Sequence, residues 1–346
     1  MLNESHIREI LIAFLDPEIA VKAQVIPRSE GLIHQSLEVI YNSDSWILQR
    51  VNNEVFKNPH SIQRNTEIVL KAFESDLSNL VPLTPMKTRV GDVLFELNGE
   101  IWRLFETIQD CDNFEFSPSA DHSYEAAFSL AKFHQILKRI PSDLIQDPLP
   151  DFLNFNKRWD AFKLAQNQGS HDRVRESEWL IEELIARHDL LLEYNEVLDQ
   201  SKKYIIHADP KISNFLFYKG RSVVKAIIDW DTIMNGPILY DFGDMVRSGV
   251  NQSKEDEIDA ESYFNEEQFE AISQGFVDGS KGVLSDLEHR NMALAAKTVI
   301  WIQSIRFITD YLLNDEYYQT DYPEQNLNRA FNQLNVLKEF EEYLNS

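Results

Sequence analysis

The chain has 346 residues, 43% of them hydrophobic, which is typical of a folded protein of one or two domains. Its 57 acidic and 33 basic side chains give a formal net charge of -24 at pH 7. Such a charge repels a phosphate backbone, so the composition argues against nucleic acid as a partner.

Cysteine content and hydropathy set further limits. The single cysteine, Cys111, excludes a disulfide within this sequence and a zinc–thiolate cluster. No apolar run approaches the roughly 18 residues that cross a bilayer. Residues 1–20 lack the basic segment and the small-residue cleavage site of a signal peptide. We therefore expect a cytoplasmic protein with no membrane partner.

The first third of the chain alternates short strand patterns with two helices. Apolar residues at helical spacing, from Ile7 to Phe14, predict an opening helix, and a second helix is predicted over residues 62–74. Glycine, asparagine and aspartate separate the strand patterns, as in antiparallel hairpins. The predicted strands cover residues 23–27, 36–41, 46–51, 86–90, 93–97 and 101–105. Residues 1–108 are thus predicted to form a β-rich lobe that binds nucleotide.

The remainder, residues 109–346, is predicted to be a mostly helical lobe. Apolar stripes over residues 126–140, 179–198 and 292–313 indicate core helices. Prolines and a glycine in residues 141–176 predict a loop-broken segment. Three short strands are predicted at residues 204–206, 215–218 and 223–228. The pattern predicts an α+β fold.

Four polar residues around the last of these strands suit phosphoryl transfer. Lys211, Asn214 and Asp229 lie two, five and 20 residues beyond Asp209. One carboxylate can accept the proton of an attacking hydroxyl, the lysine can balance phosphoryl charge, and an amide with a second carboxylate can hold Mg²⁺. A hairpin between the last two strands would bring Asn214 and Asp229 to the same end.

Taken alone, each of these residues could belong to an ordinary polar turn with no catalytic function. Their order on a strand, loop and hairpin favours the catalytic reading. His207 is predicted to brace the loop, because a carboxylate already serves as base. We interpret residues 240–244 as a helix entry that supports the loop, with Asp241 or Asp244 capping the helix or pairing with a base.

These motifs, residues 207–214 and 228–231, resemble the aminoglycoside phosphotransferase and choline kinase superfamily, whose fold is bilobal and protein-kinase-like. Within this superfamily, four stretches are similar to the N-acetylhexosamine 1-kinases. They are residues 47–52, residues 64–67, residues 227–244, and residues 306–311 continued by 322–327. The resemblance extends over nearly the whole chain.

The resemblance implies transfer of the ATP γ-phosphoryl group to the anomeric hydroxyl of a hexosamine or hexose. Asp209 would be the base, while Asn214 and Asp229 would bind Mg²⁺. Arg306 and Tyr317 would contact the sugar, since sugars bind planar donors and aromatic faces. Asp231 would support the site. The implied partners are ATP, Mg²⁺ and a small sugar.

Three departures from the family pattern concern the N-terminal lobe. The turn over residues 28–33 holds one glycine, Gly31, rather than the three of a protein-kinase phosphate loop. Leu32 replaces the histidine that sugar kinases offer there, and His34 follows two residues later as the candidate sugar contact. Gln49 and Arg50 stand where protein kinases place a lysine, so either could face the phosphates, with Glu67 as the helical partner of Arg50.

Two other functions fit the sequence. A kinase of a cationic small molecule, such as choline or an aminoglycoside, would suit the acidic charge, although Arg306 at the pocket wall argues against it. A non-catalytic nucleotide-binding module would explain the missing strand lysine. The retained Asp209, Lys211, Asn214 and Asp229 argue against that module.

Overall fold

An antiparallel sheet and a helical assembly make up the chain, and the computed structural model describes residues 4–28, 33–74 and 79–346. The strands are β1 (Gln24–Arg28), β2 (Gln35–Tyr41), β3 (Asp44–Arg50), β4 (Phe95–Leu97), β5 (Glu100–Glu106), β6 (Cys111–Asp112), β7 (Tyr204–Ile206), β8 (Phe215–Tyr218), β9 (Val224–Ile227) and β10 (Met234–Gly236). The helices of the first half are α1 (Glu4–Phe14), α2 (Pro17–Lys22), α3 (Pro59–Phe73), α4 (Ala120–Leu137), α5 (Phe155–Gln168) and α6 (His171–Glu176). Those of the second half are α7 (Glu178–Ile185), α8 (Asp189–Leu198), α9 (Ile238–Gly249), α10 (Glu266–Gly279), α11 (Asp286–Arg290), α12 (Met292–Leu312) and α13 (Gln325–Asn345).

The N-terminal sheet has the strand order β1-β2-β3-β5-β4. Alternating residues bury one face of the central strands, so Leu48 and Trp102 pack against Ile10 and Leu11 of α1. Asn98 and Gly99 close the β4–β5 hairpin with φ angles of 54° and 81°, the left-handed conformations that such a two-residue turn needs. The opposite face of β3 and β5 is thereby left for polar side chains that meet the rest of the chain.

The helical part is built around α12, which is buried along most of its length. Helices α5, α9 and α13 pack on it. Gly243 of α9 permits the close approach, because a Cβ atom there would lie 2.7 Å from Cγ2 of Val299. Among the described helices, none combines the length and apolar character needed to cross a bilayer.

The α+β class and the two-part architecture were predicted correctly, with an antiparallel sheet first and helices after it. The predicted β8–β9 hairpin is present, with Phe215 opposite Ile227. The domain boundary after residue 108 stays a prediction.

Two local predictions were wrong. Residues 86–90 form no strand, because only the Met86 N–H bonds to β5, at Leu104, while Thr88 and Arg89 donate theirs to the carbonyls of Asp92 and Ala13. Residues 141–176 are largely helical, because Asn154 caps α5 and Gly169 ends it. The breaking residues bound this helix rather than interrupt it.

Candidate active site

A buried carboxylate holds the loop that follows β7. The oxygens of Asp241, on α9, accept the backbone N–H groups of His207 and Ala208, each at 2.8 Å. His134 of α4 lies 2.7 Å from the same carboxylate through Nε2. Ala208 has a φ of 64°, which costs energy for a residue with a Cβ atom and persists only when neighbours fix it. Asp241 therefore supports the loop and does not face the cleft.

The His207 ring joins this loop to the end of β9. Its Nδ1 accepts the N–H of Asp209 at 3.3 Å, so Nε2 carries the proton and donates to the carbonyl of Ile228 at 2.9 Å. The side chain is fully buried. Both ring nitrogens are committed to backbone groups, which leaves proton transfer to a carboxylate.

Asp209 is the partly exposed carboxylate of the loop. Asn214 Nδ2 donates to the Asp209 carbonyl at 2.8 Å and to Oδ2 at 3.2 Å. Lys211 Nζ lies 3.6 Å from the same Oδ2. Oδ1 has no hydrogen-bond partner among the described residues. One oxygen is thus oriented by the loop, while the other can accept a proton from a hydroxyl group.

Asp229 lies at the other arm of the hairpin. The N–H of Ile228 donates to the Asn214 carbonyl at 2.9 Å, which keeps the two arms together. Asp229 itself adopts φ 64° and ψ 61°, a left-handed conformation that is found at functional sites. Its carboxylate has no hydrogen bond or ion pair within residues 4–28, 33–74 and 79–346. It is therefore free to take a ligand.

The charges of this cluster are unbalanced. Burial and the carboxylates of Asp231 and Asp209 raise the pKa of Asp229 above its usual value. The carboxylate of Asp209, followed by that of Asp229, raises the pKa of Lys211. The lysine stays protonated, but one ammonium group does not compensate the carboxylates around it.

The donor set fits a hard cation. Asn214 uses its Nδ2 for Asp209, so its amide oxygen is free, and Asp229 offers unpartnered oxygens nearby. Oxygen donors of this kind suit Mg²⁺, which keeps several water or phosphate ligands. Nowhere in the described chain do three His, Cys, Asp or Glu side chains converge as a metal site. The two donors suit a cation that completes its shell with phosphates.

Asp231 joins the helical part to the N-terminal sheet. Arg103 of β5 donates Nη1 to Oδ1 and Nη2 to Oδ2, both at 2.6 Å, and His34 Nε2 lies 2.6 Å from Oδ2. Burial opposes ionisation, yet the Arg103 and His34 contacts hold the pKa of Asp231 well below its usual range. His34 Nδ1 accepts the N–H of Asn52 at 3.1 Å. With both nitrogens engaged, His34 has none left for a sugar, contrary to the sugar contact that we predicted.

The candidate phosphate-facing residues of β3 lie on opposite faces of the sheet. Gln49 Oε1 accepts from Arg103 Nη2 at 2.9 Å, on the face that meets Asp231. Arg50 lies on the α1 face and pairs with Glu100 at 2.6 Å.

The predicted pairing of Arg50 with Glu67 does not occur. Ile62, Thr66 and Val69 occupy the buried face of α3, so Glu67 projects to solvent, where it accepts from Gln63 at 2.9 Å. Gly31 and Leu32 lie outside the described residues.

The predicted sugar-contacting residues lie near the C-terminal end of α12. The Arg306 guanidinium lies over the rings of Phe152, at 5.1 Å, and Tyr318, at 5.8 Å. Tyr317 is 58% exposed and its ring meets Tyr318 edge-on at 4.8 Å. Phe152 also contacts Tyr240 at 6.2 Å. This wall therefore offers aromatic faces and one guanidinium.

Sequence reasoning missed Arg103. It lies on β5, beside Gln49 in the sheet register. A charged residue inside the apolar run of residues 101–105 was the available signal, because a buried arginine needs an acidic partner. Its partner lies 128 residues further along the chain, so the sequence offered no local means of identifying the pair.

A comparison with family models matches residues 24–272 to the phosphotransferase enzyme family, abbreviated APH. The matched part contains the sheet, the loop after β7, the β8–β9 hairpin and α9. It therefore covers each residue of the proposed base and metal site.

Solved structures share the fold at low sequence identity. A spectinomycin phosphotransferase in complex with ADP and spectinomycin aligns with a TM-score of 0.65 and 13% identity, over 99% of this chain and 98% of that one. A microcompartment-associated aminopropanol kinase aligns with a TM-score of 0.65 and 17% identity, over 99% of this chain and 98% of that one. An ethanolamine kinase of Plasmodium vivax aligns with a TM-score of 0.59 and 12% identity, over 98% of this chain and 89% of that one.

Proposed function

Because the chain belongs to the phosphotransferase enzyme family, we propose that it transfers the γ-phosphoryl group of ATP to a hydroxyl group of a hexose or hexosamine. The observation that carries the proposal is the arrangement of Asp209, Asn214 and Asp229 on one braced loop and hairpin. Asp209 takes the hydroxyl proton as the acceptor oxygen bonds to the γ-phosphorus. The bond from that phosphorus to the bridging oxygen breaks, and ADP leaves.

Lys211, Asn214 and Asp229 serve the phosphate side of this reaction. Lys211 lies beside Asp209 and carries a positive charge that stabilises the transferring phosphoryl group. Asn214 Oδ1 and the Asp229 carboxylate would hold Mg²⁺. Bound there, the ion would neutralise phosphate charge and orient the chain of phosphates. The use of a nucleotide is supported by the ADP complex of the spectinomycin phosphotransferase.

The sugar as acceptor rests on the wall formed by Arg306, Tyr317 and Phe152. Guanidinium groups donate in a plane to hydroxyl oxygens, and aromatic rings cover the apolar faces of a sugar. The resemblance to N-acetylhexosamine 1-kinases further suggests the anomeric hydroxyl. That hydroxyl is more acidic than an ordinary alcohol, so a positioned carboxylate is an adequate base.

An amino alcohol or aminoglycoside is the second candidate acceptor. It is favoured by the names of the structural neighbours, which include an aminopropanol kinase and an ethanolamine kinase. A cationic acceptor would have to approach the Arg306 guanidinium, which lies over Phe152 and Tyr318 and contacts no carboxylate among the described residues. A module without catalysis is not proposed, because the family is one of enzymes.

The test is Mg²⁺-dependent release of ADP from ATP with separate acceptors. The panel is N-acetylglucosamine, N-acetylgalactosamine, glucose, galactose, mannose, choline, ethanolamine and kanamycin, with the Asp209→Asn variant as control. We expect turnover on a sugar, with phosphate at the anomeric carbon, and loss of about 10²- to 10⁴-fold in the variant. ATP binding by the variant, measured by calorimetry, should be retained.

Other outcomes assign the acceptor differently. Turnover only on choline, ethanolamine or kanamycin would replace the sugar by a cationic acceptor. Turnover that persists in Asp209→Asn would remove Asp209 as the base. Loss of both ATP binding and turnover in that variant would indicate that the substitution disrupts the fold.

A further inference from the structure

Two half-buried arginines near the acceptor wall have no acidic partner. Arg306, on α12, donates Nη1 to Gln303 at 3.0 Å and makes no ion pair among the described residues. Arg158, on α5, has a buried Nε with no hydrogen-bond partner. Its guanidinium contacts no carboxylate in the described chain either. Among the described residues, neither cation is therefore compensated by a carboxylate.

This situation differs from that of other arginines in the molecule. Largely buried arginines elsewhere contact a carboxylate, and the pairs are Arg103–Asp231, Arg173–Asp315, Arg187–Glu341, Arg247–Asp244 and Arg329–Glu255. The chain has 57 acidic residues for 33 basic ones, so partners are abundant. A pair of unpartnered arginines in so acidic a chain is best explained by an anion that is not part of the protein.

The two guanidinium groups also repel each other. Burial and the charge of Arg306 lower the pKa of Arg158 below its usual value. The charge of Arg158 contributes to a lowered pKa of Asp151, but this carboxylate pairs with Lys157 at 2.6 Å and is half exposed. An unpaired, partly desolvated charge destabilises a protein unless a ligand compensates it.

Tyr240 connects this pair of arginines to the proposed base. Its ring contacts Phe152, over which the Arg306 guanidinium lies. Burial and the carboxylate of Asp244 raise the pKa of Tyr240 well above its usual range, with Arg306 lowering it and Asp209 adding to the rise. The charges of Arg306 and Asp209 thus both influence the pKa of this tyrosine. Because Arg306 lies over Phe152 and Tyr318 and the proposed magnesium ligands lie at the β8–β9 hairpin, the arginines are assigned to the acceptor rather than to the metal.

We propose that the acceptor carries an anionic group, a carboxylate or a phosphate, that binds Arg158 and Arg306 while its hydroxyl group lies at Asp209. The proposal rests on the phosphotransferase activity proposed above and specifies the acceptor further, as an acidic sugar or a sugar phosphate. Guanidinium groups match both anions, because their paired N–H donors fit two oxygens at once. The neutral wall of Phe152 and Tyr317 would cover the body of the ligand.

The experiment compares acceptors that differ only in charge. Turnover is measured with glucose against glucuronate, and with N-acetylglucosamine against its 6-phosphate, with glucosamine as the cationic member. We expect kcat/KM to be on the order of tenfold or more higher for an anionic member than for its neutral counterpart. Glucuronate and the 6-phosphate distinguish a carboxylate from a phosphate as the group bound.

Variants identify the residues that recognise the anion. Arg158→Gln and Arg306→Gln should each remove most of the charge preference, chiefly by raising the KM for the anionic acceptor. Arg306→Lys keeps the positive charge but lacks the paired N–H donors of a guanidinium. It should therefore retain part of the preference for the anionic acceptor. Arg290→Gln, an exposed arginine on α11, is the matched control. Circular dichroism checks that each variant is folded.

Binding is measured separately from turnover, so that the two proposals can fail independently. Calorimetry without ATP should show glucuronate or the 6-phosphate binding to the wild-type protein, and weaker binding to Arg158→Gln and Arg306→Gln. Anion binding without turnover would leave this site standing and overturn the proposed activity on these acceptors. Equal or better use and binding of the neutral members overturns the anionic acceptor. If the arginine variants raise the KM for ATP and leave the KM for the acceptor unchanged, the arginines serve the nucleotide. That result would also overturn the anionic acceptor.

Discussion

Arg103 and Asp231 form a two-pronged ion pair between the N-terminal sheet and the loop that follows β9, with both N–O distances at 2.6 Å. Asp231 lies two residues beyond Asp229, a proposed metal ligand. The pair therefore couples the position of the sheet to that of the proposed metal ligand. Gln49 and His34 complete the contact from the sheet side.

Removal of the guanidinium should destabilise the protein strongly. Arg103→Met leaves the buried Asp231 carboxylate with His34 alone, and we expect the free energy of unfolding to fall by about 3–5 kcal/mol. The matched control is Arg50→Met on the neighbouring strand, whose partner Glu100 is more accessible. It should cost less than about 1 kcal/mol. Both values are measured by urea titration.

Removing both partners tests the same pair in another way. The double variant Arg103→Met with Asp231→Leu leaves no buried charge, so it should be more stable than Arg103→Met alone. Equal losses for Arg103→Met and Arg50→Met would contradict a buried interaction between the two parts of the chain.

Gln49, rather than Arg50, should affect nucleotide binding. Gln49→Ala removes the acceptor of Arg103 on the face that meets Asp231, so we expect the KM for ATP to rise by about 3- to 10-fold. Arg50→Ala should leave that KM unchanged, because Arg50 lies on the α1 face. The comparison needs only initial rates over a range of ATP concentrations. The opposite ranking of the two variants would place Arg50 at the phosphates.

The sequence could predict the central part of the site because its residues are close along the chain. Asp209, Lys211 and Asn214 share one loop, and a local hairpin brings Asp229 back to Asn214. Turn chemistry and the alternation of strand residues are enough to place such a group. The catalytic roles themselves remain predictions.

The contacts that sequence reasoning did not find join distant segments. Arg103 and Asp231 are 128 positions apart, and the helices that carry Arg158 and Arg306 are brought together by the packing of α5 on α12. The loop-broken segment predicted at residues 141–176 gave no bounds for α5, because its flanking glycine and prolines were interpreted only as breaks. The role of His34 also depended on long-range packing, since Asp231 and the Asn52 N–H occupy its two ring nitrogens.

Asp241 should control turnover without touching substrate. Asp241→Asn replaces one of the two oxygens that accept the His207 and Ala208 N–H groups by a second donor. The loop should shift, and we expect kcat to fall on the order of 10²-fold, with a smaller change in the KM for ATP. Asp172→Asn, at an exposed position on α6, is the control. An unchanged kcat in folded Asp241→Asn would show that the loop keeps its shape without this support.

Asp229 should set the magnesium requirement. Because the carboxylate has no hydrogen-bond or ion-pair partner in the described part of the chain, we expect its replacement in Asp229→Asn to remove an ion ligand and little else. We expect the Mg²⁺ concentration for half-maximal turnover to rise about tenfold or more, since Mg²⁺ is held by few protein oxygens. Exposed Asp199→Asn should leave it unchanged.

The same variant separates a ligand from a structural residue. Burial and the charges of Asp231 and Asp209 raise the pKa of Asp229, which means that its ionised form is unfavourable when no cation is present. Without Mg²⁺, Asp229→Asn should therefore melt at the same temperature as the wild-type protein or higher. With Mg²⁺ and ADP, the wild-type protein should gain the larger thermal shift, because only it keeps the full set of oxygen ligands. A lower melting temperature of the variant in EDTA would instead mean that Asp229 serves the fold, and the magnesium site would have to be sought elsewhere.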